Sequence, residues 1–173
     1  LSGVFFYINP PPLINLAWAN NGLFWDGGST NLESLSIGPI THLDEMGQNI
    51  LELPEKLKER DNFKQLFNEA FPNEKNEGIT TQKTLKAIAQ YVRSLVSANS
   101  KYDQYILGKA SFTEREKLGL QIFDTKCSSC HSRKDHLFTD NEYHNIGLDE
   151  IFTAENERAE QGRRQAADEL ART

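Results

Sequence analysis

Cys127-Ser128-Ser129-Cys130-His131 constrains this chain more than any other stretch. It is a Cys-x-x-Cys-His run, the attachment signature of a c-type haem. Two thiols at this spacing suit the reach between the two vinyl groups of one porphyrin, and the residue that follows offers its imidazole to the iron as proximal ligand. The covalent link pins the cofactor and leaves the fold to tune potential and access. These are the only two cysteines in the chain, so no disulfide framework competes for them. Two other readings stay open at this point. A thioredoxin-like dithiol belongs in a βαβ unit, and no strand-rich pattern surrounds residue 127. Half of a zinc site needs a further ligand with its own spacing, and only His136 and His144 are near.

At 173 residues the chain is long enough for one large domain or two small ones. Its net charge of −6 argues against nucleic acid as a partner, because phosphate contacts need a basic surface. Haem propionates would make it more acidic still. No stretch has the apolar length that spans a bilayer. Leu1-Ser2-Gly3-Val4-Phe5-Phe6 is too short for a signal peptide and has no basic region before it. Haem attachment of this type takes place outside the cytoplasm, so the expected location is the periplasm, with an export signal ahead of Leu1.

The opening third reads as loops. Pro10-Pro11-Pro12 forces an extended segment, and Asn20-Asn21-Gly22 and Asp26-Gly27-Gly28 read as turns. Phe5, Phe6, Tyr7, Trp18, Phe24 and Trp25 are expected to anchor this irregular backbone in a core. Helical periodicity follows. Ser29-Thr30 is placed to cap a short helix carrying Leu32 and Leu35, and Leu53-Pro54-Glu55 looks like a helix start. Phe63, Leu66, Phe67 and Ala70 fall on one helical face. Thr80-Thr81 opens the clearest helix, with Leu85, Ile88, Ala89, Val92, Leu95 and Val96 on its apolar side and Lys83, Lys86, Gln90 and Arg93 on the other; it is expected to end near Ala98. Residues 99–112 read as a linker. Thr113-Glu114-Arg115-Glu116 is a capping start for a helix that buries Leu118, Ile122 and Phe123 and delivers the chain to Cys127. The tail from Glu155 to Thr173 is charged and alanine-rich, a solvated helix. The fold class expected is mostly α, loop-rich, with cytochrome c-like domains.

Several motifs converge on one family. Leu23-Phe24-Trp25-Asp26-Gly27-Gly28, Gly38-Pro39-Ile40, Asp44-Glu45-Met46-Gly47, Tyr91-Val92-Arg93-Ser94-Leu95, Ser100-Lys101-Tyr102-Asp103, Phe138-Thr139-Asp140-Asn141 and His144-Asn145-Ile146-Gly147-Leu148 stand in order. Over roughly residues 9 to 150 the chain resembles the bacterial di-haem cytochrome c peroxidase family, which includes the MauG-type enzymes. The resemblance implies two cytochrome c-like domains, each with one haem c, one site cleaving peroxide and the other accepting electrons. Residues 1–98 are then the later part of the first, peroxidatic domain, 99–112 the interdomain linker, and 113–173 the opening of the second. Cys127, Cys130 and His131, with His131 on the haem iron, form the electron-accepting site. The first Cys-x-x-Cys-His is expected before Leu1, so one haem lies in this chain and two in a parent protein of which the chain is a fragment or truncated product.

Further roles follow only from the resemblance. Trp25 matches a tryptophan between the two haems, against the plainer reading of a buried anchor. Glu45 matches a distal carboxylate that takes and returns a proton during O–O cleavage, against a surface glutamate beside Asp44. Asn9 matches a ligand to calcium, for which its side-chain oxygen is suited. His144 is expected near the haem rim, and His136 and His42 as polar loop residues. The implied reaction is reduction of hydrogen peroxide to water with electrons from a small donor, a cytochrome c or a cupredoxin, with a homodimer among the assemblies considered. A MauG-like oxidase and a mono-haem electron-transfer module without catalysis are the alternatives. The sequence departs from the family pattern at Leu35, where glutamine is common, at Gly28, where arginine is common, and in lacking any methionine after His131; its one methionine is Met46.

Overall fold

A computed structural model of the chain describes residues 10–19, 22–25, 27–134, 137–142 and 144. Asn9, Phe5, Phe6, Tyr7, His136 and the charged stretch from Glu155 lie outside the described residues. Among the described residues the regular structure is helical, and extended pairing is confined to one antiparallel bridge, Leu23 to Ser29. The chain is therefore mostly α. It divides into two units, the described residues of Leu1–Leu13 and Gly22–Ser94 in one and those of Ile14–Asn21 and Leu95–Thr173 in the other.

The first unit holds α1 (Leu32–Leu35), α2 (Ile37–Thr41), α3 (Leu53–Lys58), α4 (Phe63–Ala70) and α5 (Thr81–Ser94), with a 3-10 segment over Pro72–Glu77. Asn31, rather than Ser29 or Thr30, caps α1, its Oδ1 accepting from Ser34 N at 2.8 Å. Ser29 is buried instead and bonds the Ser34 hydroxyl at 2.6 Å. Pro54 stands in the first turn of α3, where its missing N–H leaves no helix bond unmade. In α4 the sheltered face runs through Phe63, Phe67 and Phe71, whose ring centroids are 6.4 and 5.9 Å apart, while Leu66 is exposed. The i, i+4 aromatic series outcompetes the Leu66 position that periodicity favours.

Helix α5 packs on α1, with Ala89 and Val92 buried beside Leu32 and Leu35. Arg93 holds Glu33 through two parallel bonds of 3.0 Å, and its guanidinium lowers the Glu33 carboxyl below its ordinary value. Lys83 departs from the amphipathic expectation: it is only 2% exposed. The Pro72–Gly78 segment wraps the first turn of α5, and the Lys83 ammonium donates to Glu74 O at 2.6 Å and Gly78 O at 3.1 Å. The helix also ends at Ser94, short of Ala98. Beyond it the backbone turns to Asn15, whose N–H donates to Leu95 O at 2.9 Å and whose side chain both donates to Ser97 O and accepts from Ser97 N.

The second unit holds α6 (Lys101–Ile106) and α7 (Glu114–Lys126). Helix α6 lies inside the segment read as linker and is opened by a capping box of Ser100 and Asp103. Thr113 and Glu116 form the expected box at α7. Helix α7 does not bury Leu118 and Ile122, which are 55% and 53% exposed. Among the described residues the chain that returns after α7 reaches Phe123, through the Phe138 ring at 5.8 Å, and leaves the Leu118–Ile122 face open.

The start of α7 carries a pH dependence. Lys101 Nζ donates to both Glu116 oxygens, at 2.6 and 2.7 Å, and Thr113 N and Oγ1 donate to Oε2. The Lys101 bond first, then the Thr113 bonds, lower the Glu116 carboxyl from 4.5 to about 2. A folded value depressed in this way gives a contribution complete above 4.5 and lost as pH falls through about 2. NMR titration of the Thr113 and Glu116 amides is expected to show the box opening only below 4.5, with Glu116→Gln flat across the same range. Amide shifts of the unsubstituted chain that ignore acidification would contradict this.

Candidate functional site

Helix α7 delivers the Cys-x-x-Cys-His run as a continuation of its own hydrogen bonding. Cys127 is its C-cap, with N–H donating to Phe123 O at 2.8 Å. Cys130 N and His131 N then both donate to Cys127 O, at 3.2 and 2.9 Å. The two cysteines thus stand three residues apart on one helical-type turn. Both are half-buried, and neither is in a disulfide.

His131 is oriented from the far side of the loop. Its Nδ1 lies 3.0 Å from Phe138 O. A carbonyl can only accept, so Nδ1 carries a proton, and in the neutral ring Nε2 then keeps a lone pair. Phe138 reaches this position with φ of 58°, left-handed backbone that costs about 1–3 kcal/mol for a non-glycine residue. Its ring is held edge-on to Tyr102 at 5.3 Å and to Phe123 at 5.8 Å. Asp140 N donates to Cys130 O at 3.0 Å and closes the loop. Arg133 fastens its near side to α7 and α6, with Nε and Nη2 on the Asp124 carboxylate at 2.7 and 2.8 Å and Nη1 donating to the Tyr102 hydroxyl at 3.0 Å. Two thiols on one turn and an adjacent imidazole with a fixed tautomer are the donor set a covalently attached haem needs, so these residues fit that group.

A second group of side chains borders the turn. His144 Nε2 lies 2.7 Å from Asp140 Oδ2, and the Cys130 sulfur, an Asp140 oxygen and a His144 ring nitrogen all lie within 4.8 Å of one another. The Asp140 carboxyl sits below its ordinary value, chiefly because Glu142 N donates to it and then because His144 bonds it. The sequence motif Phe138-Thr139-Asp140-Asn141 contains both the carbonyl that orients His131 and this carboxylate, and the i, i+4 spacing of Asp140 and His144 was the available signal for the pair. Arg133 carried no signal and Tyr102 only its place in the Ser100–Asp103 motif, since the two meet only in the folded unit.

Of the other sequence-predicted residues, Phe24, Trp25, His42 and Glu45 lie in the first unit and Trp18 in the second. Trp25 sits in the loop closed by the Leu23–Ser29 bridge and is 51% exposed. It is not a core anchor, and neither are Trp18 and Phe24, both exposed. The loop is irregular because Phe24 and Gly27 both have positive φ, so it turns without a helix to bury its aromatic side chains. Glu45 is exposed in a tight turn, its N–H donating to His42 O at 3.0 Å, and Gly47 with φ of 55° completes the turn on the same carbonyl. His42 is a polar loop residue whose Nδ1 accepts from Asp44 N.

The family profile described as di-haem cytochrome c peroxidase matches residues 2–111. The chain is 37% identical over 141 residues to the methylamine utilization protein MauG of Methylorubrum extorquens, covering 80% of this chain and 38% of that protein. It is 34% identical over 143 residues to the MauG protein of Methylophilus methylotrophus, covering 80% and 41%. It therefore spans about two fifths of the length of these curated relatives. Among solved structures, a MauG-like protein associated with microbial copper homeostasis superposes with a TM-score of 0.67 at 26% identity, covering 79% of this chain and 42% of that one. The profile match ends before Cys127, so the Cys127–His131 turn is a separate line of support.

Proposed function

Because the chain belongs to the di-haem cytochrome c peroxidase family, we propose that it is the haem-bearing, electron-accepting part of an enzyme that reduces hydrogen peroxide to water in the periplasm. The electrons come from a small redox protein, a cytochrome c or a cupredoxin. The observation that carries this is the Cys127–His131 turn with His131 Nδ1 bound to Phe138 O. Cys127 and Cys130 hold haem c through thioethers, and His131 Nε2 is its proximal ligand. The group supplies one-electron transfer. Residues 113–173 belong to the electron-accepting domain and residues 1–98 to the peroxidatic one, which carries a second haem.

The chain's own groups do the rest. Phe138 O keeps His131 in one tautomer and one orientation. Trp25 presents an exposed, polarisable indole that suits an electron relay between haem edges better than a structural anchor. Glu45 takes a proton from one peroxide oxygen and returns it to the departing one. Two electrons and two protons then convert one hydrogen peroxide to two waters. Asn9, outside the described residues, contributes a side-chain oxygen to a calcium ion.

A second reading rests on the identity to two MauG proteins, 37% and 34%. There the same residues serve an oxidase that withdraws electrons from a protein or organic substrate.

The test uses protein matured in a host with a c-type haem attachment apparatus. Haem is expected to stay with the chain after denaturation, and Cys127→Ser/Cys130→Ser is expected to abolish attachment; peroxide-dependent oxidation of a reduced small cytochrome is expected only of the parent protein that carries both haems, and to be lost there with the same substitutions. Colourless protein with both sulfurs alkylatable would end the proposal. Electron withdrawal from a substrate without added peroxide would favour the oxidase.

A further inference from the structure

We propose that, before haem is attached, Cys130, Asp140 and His144 form a binding site for a thiophilic divalent cation of the zinc class, and that cation binding and thioether formation at Cys130 exclude one another. The exclusion rests on the proposed haem attachment; the cation site does not. The donor set differs from the zinc half-site considered for the sequence, which paired Cys127 with Cys130. The structure brings together instead one cysteine, one carboxylate and one imidazole.

Three observations support the site. The three ligand atoms already lie within 4.8 Å of one another. Zinc bond lengths to sulfur, nitrogen and oxygen put tetrahedral ligands about 3.3–3.6 Å apart, so small side-chain rotations close the set. The Asp140 N–H bond to Cys130 O, 3.0 Å, fixes the backbone that carries two of the ligands. The site is also reachable: Cys130 and Asp140 are half-buried and His144 is exposed.

Proton accounting is simple. Binding releases the thiol proton of Cys130 to solvent. His144 Nε2 now donates to the Asp140 carboxylate; on binding, its proton moves to Nδ1 and Nε2 turns to the cation. A thiolate, a carboxylate and an imidazole leave the fourth position to water. A sulfur engaged in a thioether carries no charge and is a poor zinc ligand, so an attached haem removes the site. A bound cation in turn masks the nucleophile that attachment needs.

The experiment uses the full chain produced without haem attachment and kept reduced, titrated with cobalt(II) and then zinc(II). One cobalt per chain is expected, with a thiolate-to-cobalt charge-transfer band that zinc displaces. Cys130→Ser is expected to remove the band. Asp140→Ala and His144→Ala are expected to weaken binding by at least about tenfold, the lower end of what loss of even a supporting partner costs. Cys127→Ser is expected to keep the band. On the unsubstituted chain, saturating zinc is expected to protect Cys130 from alkylation while Cys127 is labelled. Absence of stoichiometric cobalt, equal labelling of both cysteines, or loss of the band in Cys127→Ser but not in His144→Ala overturns the proposal. Haem content of material from a maturing host is read separately. Haem-loaded protein from a chain that binds no cobalt sinks the cation site alone, and cobalt binding by a chain that never takes haem sinks the proposed function alone.

Discussion

Lys83→Met is expected to destabilise the first unit by about 2–4 kcal/mol, because it removes two charge-assisted hydrogen bonds from a site that solvent does not reach. Methionine matches the length and apolar stem of lysine, so the change is confined to the ammonium. Glu74 O and Gly78 O, which now accept at 2.6 and 3.1 Å, would be left without that donor. Glu74 sits at the kink of the Pro72–Glu77 3-10 stretch and Gly78 lies just beyond it, so neither carbonyl belongs to an α-helical ladder. Relief from burying a charge offsets part of the loss. The Glu77 and Glu74 carboxylates, at 3.7 and 3.9 Å, add little because both side chains are open to water. Urea denaturation should show a lower midpoint at unchanged slope. A variant within about 0.5 kcal/mol of the parent would mean that Lys83 is an incidental burial.

Gly22→Ala is expected to cost about 1–3 kcal/mol and to displace Trp25. Gly22 has φ of 89°, and a Cβ there would meet Gly27 O at 2.5 Å and Gly27 Cα at 2.8 Å. Both obstacles are backbone, so the loop between Leu23 and Ser29 has to open. That loop carries the indole assigned to electron relay, and its closure is what the bridge bonds of 2.7 and 3.4 Å record. Tryptophan fluorescence should therefore change with stability, and so should the rate of donor oxidation in the parent protein that carries both haems. Gly78→Ala is the matched control, with φ of 66° and no atom within 4 Å of its Cβ. It bears the left-handed cost, about 1–2 kcal/mol, without the collision. Equal effects from the two substitutions would mean that the close approach at Gly22 carries no energy.

The features legible in the sequence were those whose partners are sequence neighbours. Thr113 and Glu116 are three residues apart, and the capping box formed where the spacing put it. The Cys127–His131 turn is local in the same sense. What periodicity missed was set by distant chain. Lys83 looks like a solvent-facing lysine until the preceding segment wraps it, and Leu118 and Ile122 look like core until the returning loop is seen, among the described residues, to reach Phe123 and Asp124 instead. The α4 face was misread at Leu66 because 3.6-residue counting cannot rank a leucine against a phenylalanine series one turn apart. Trp25 and Glu45 owe their proposed roles to family resemblance. Their surroundings in the fold contribute only that both side chains are exposed.

Asn15 gives the chain a property that a linear map conceals. It stands 82 residues from Ser97, yet its peptide and side chain saturate Leu95 O, Ser97 N and Ser97 O. The second unit thus borrows a short strap that interrupts the first unit in sequence. A gene cut at residue 94 or 95 would strip those three groups of their partner, and the unit is separable only by a rearrangement that carries residues 14–21 along with it.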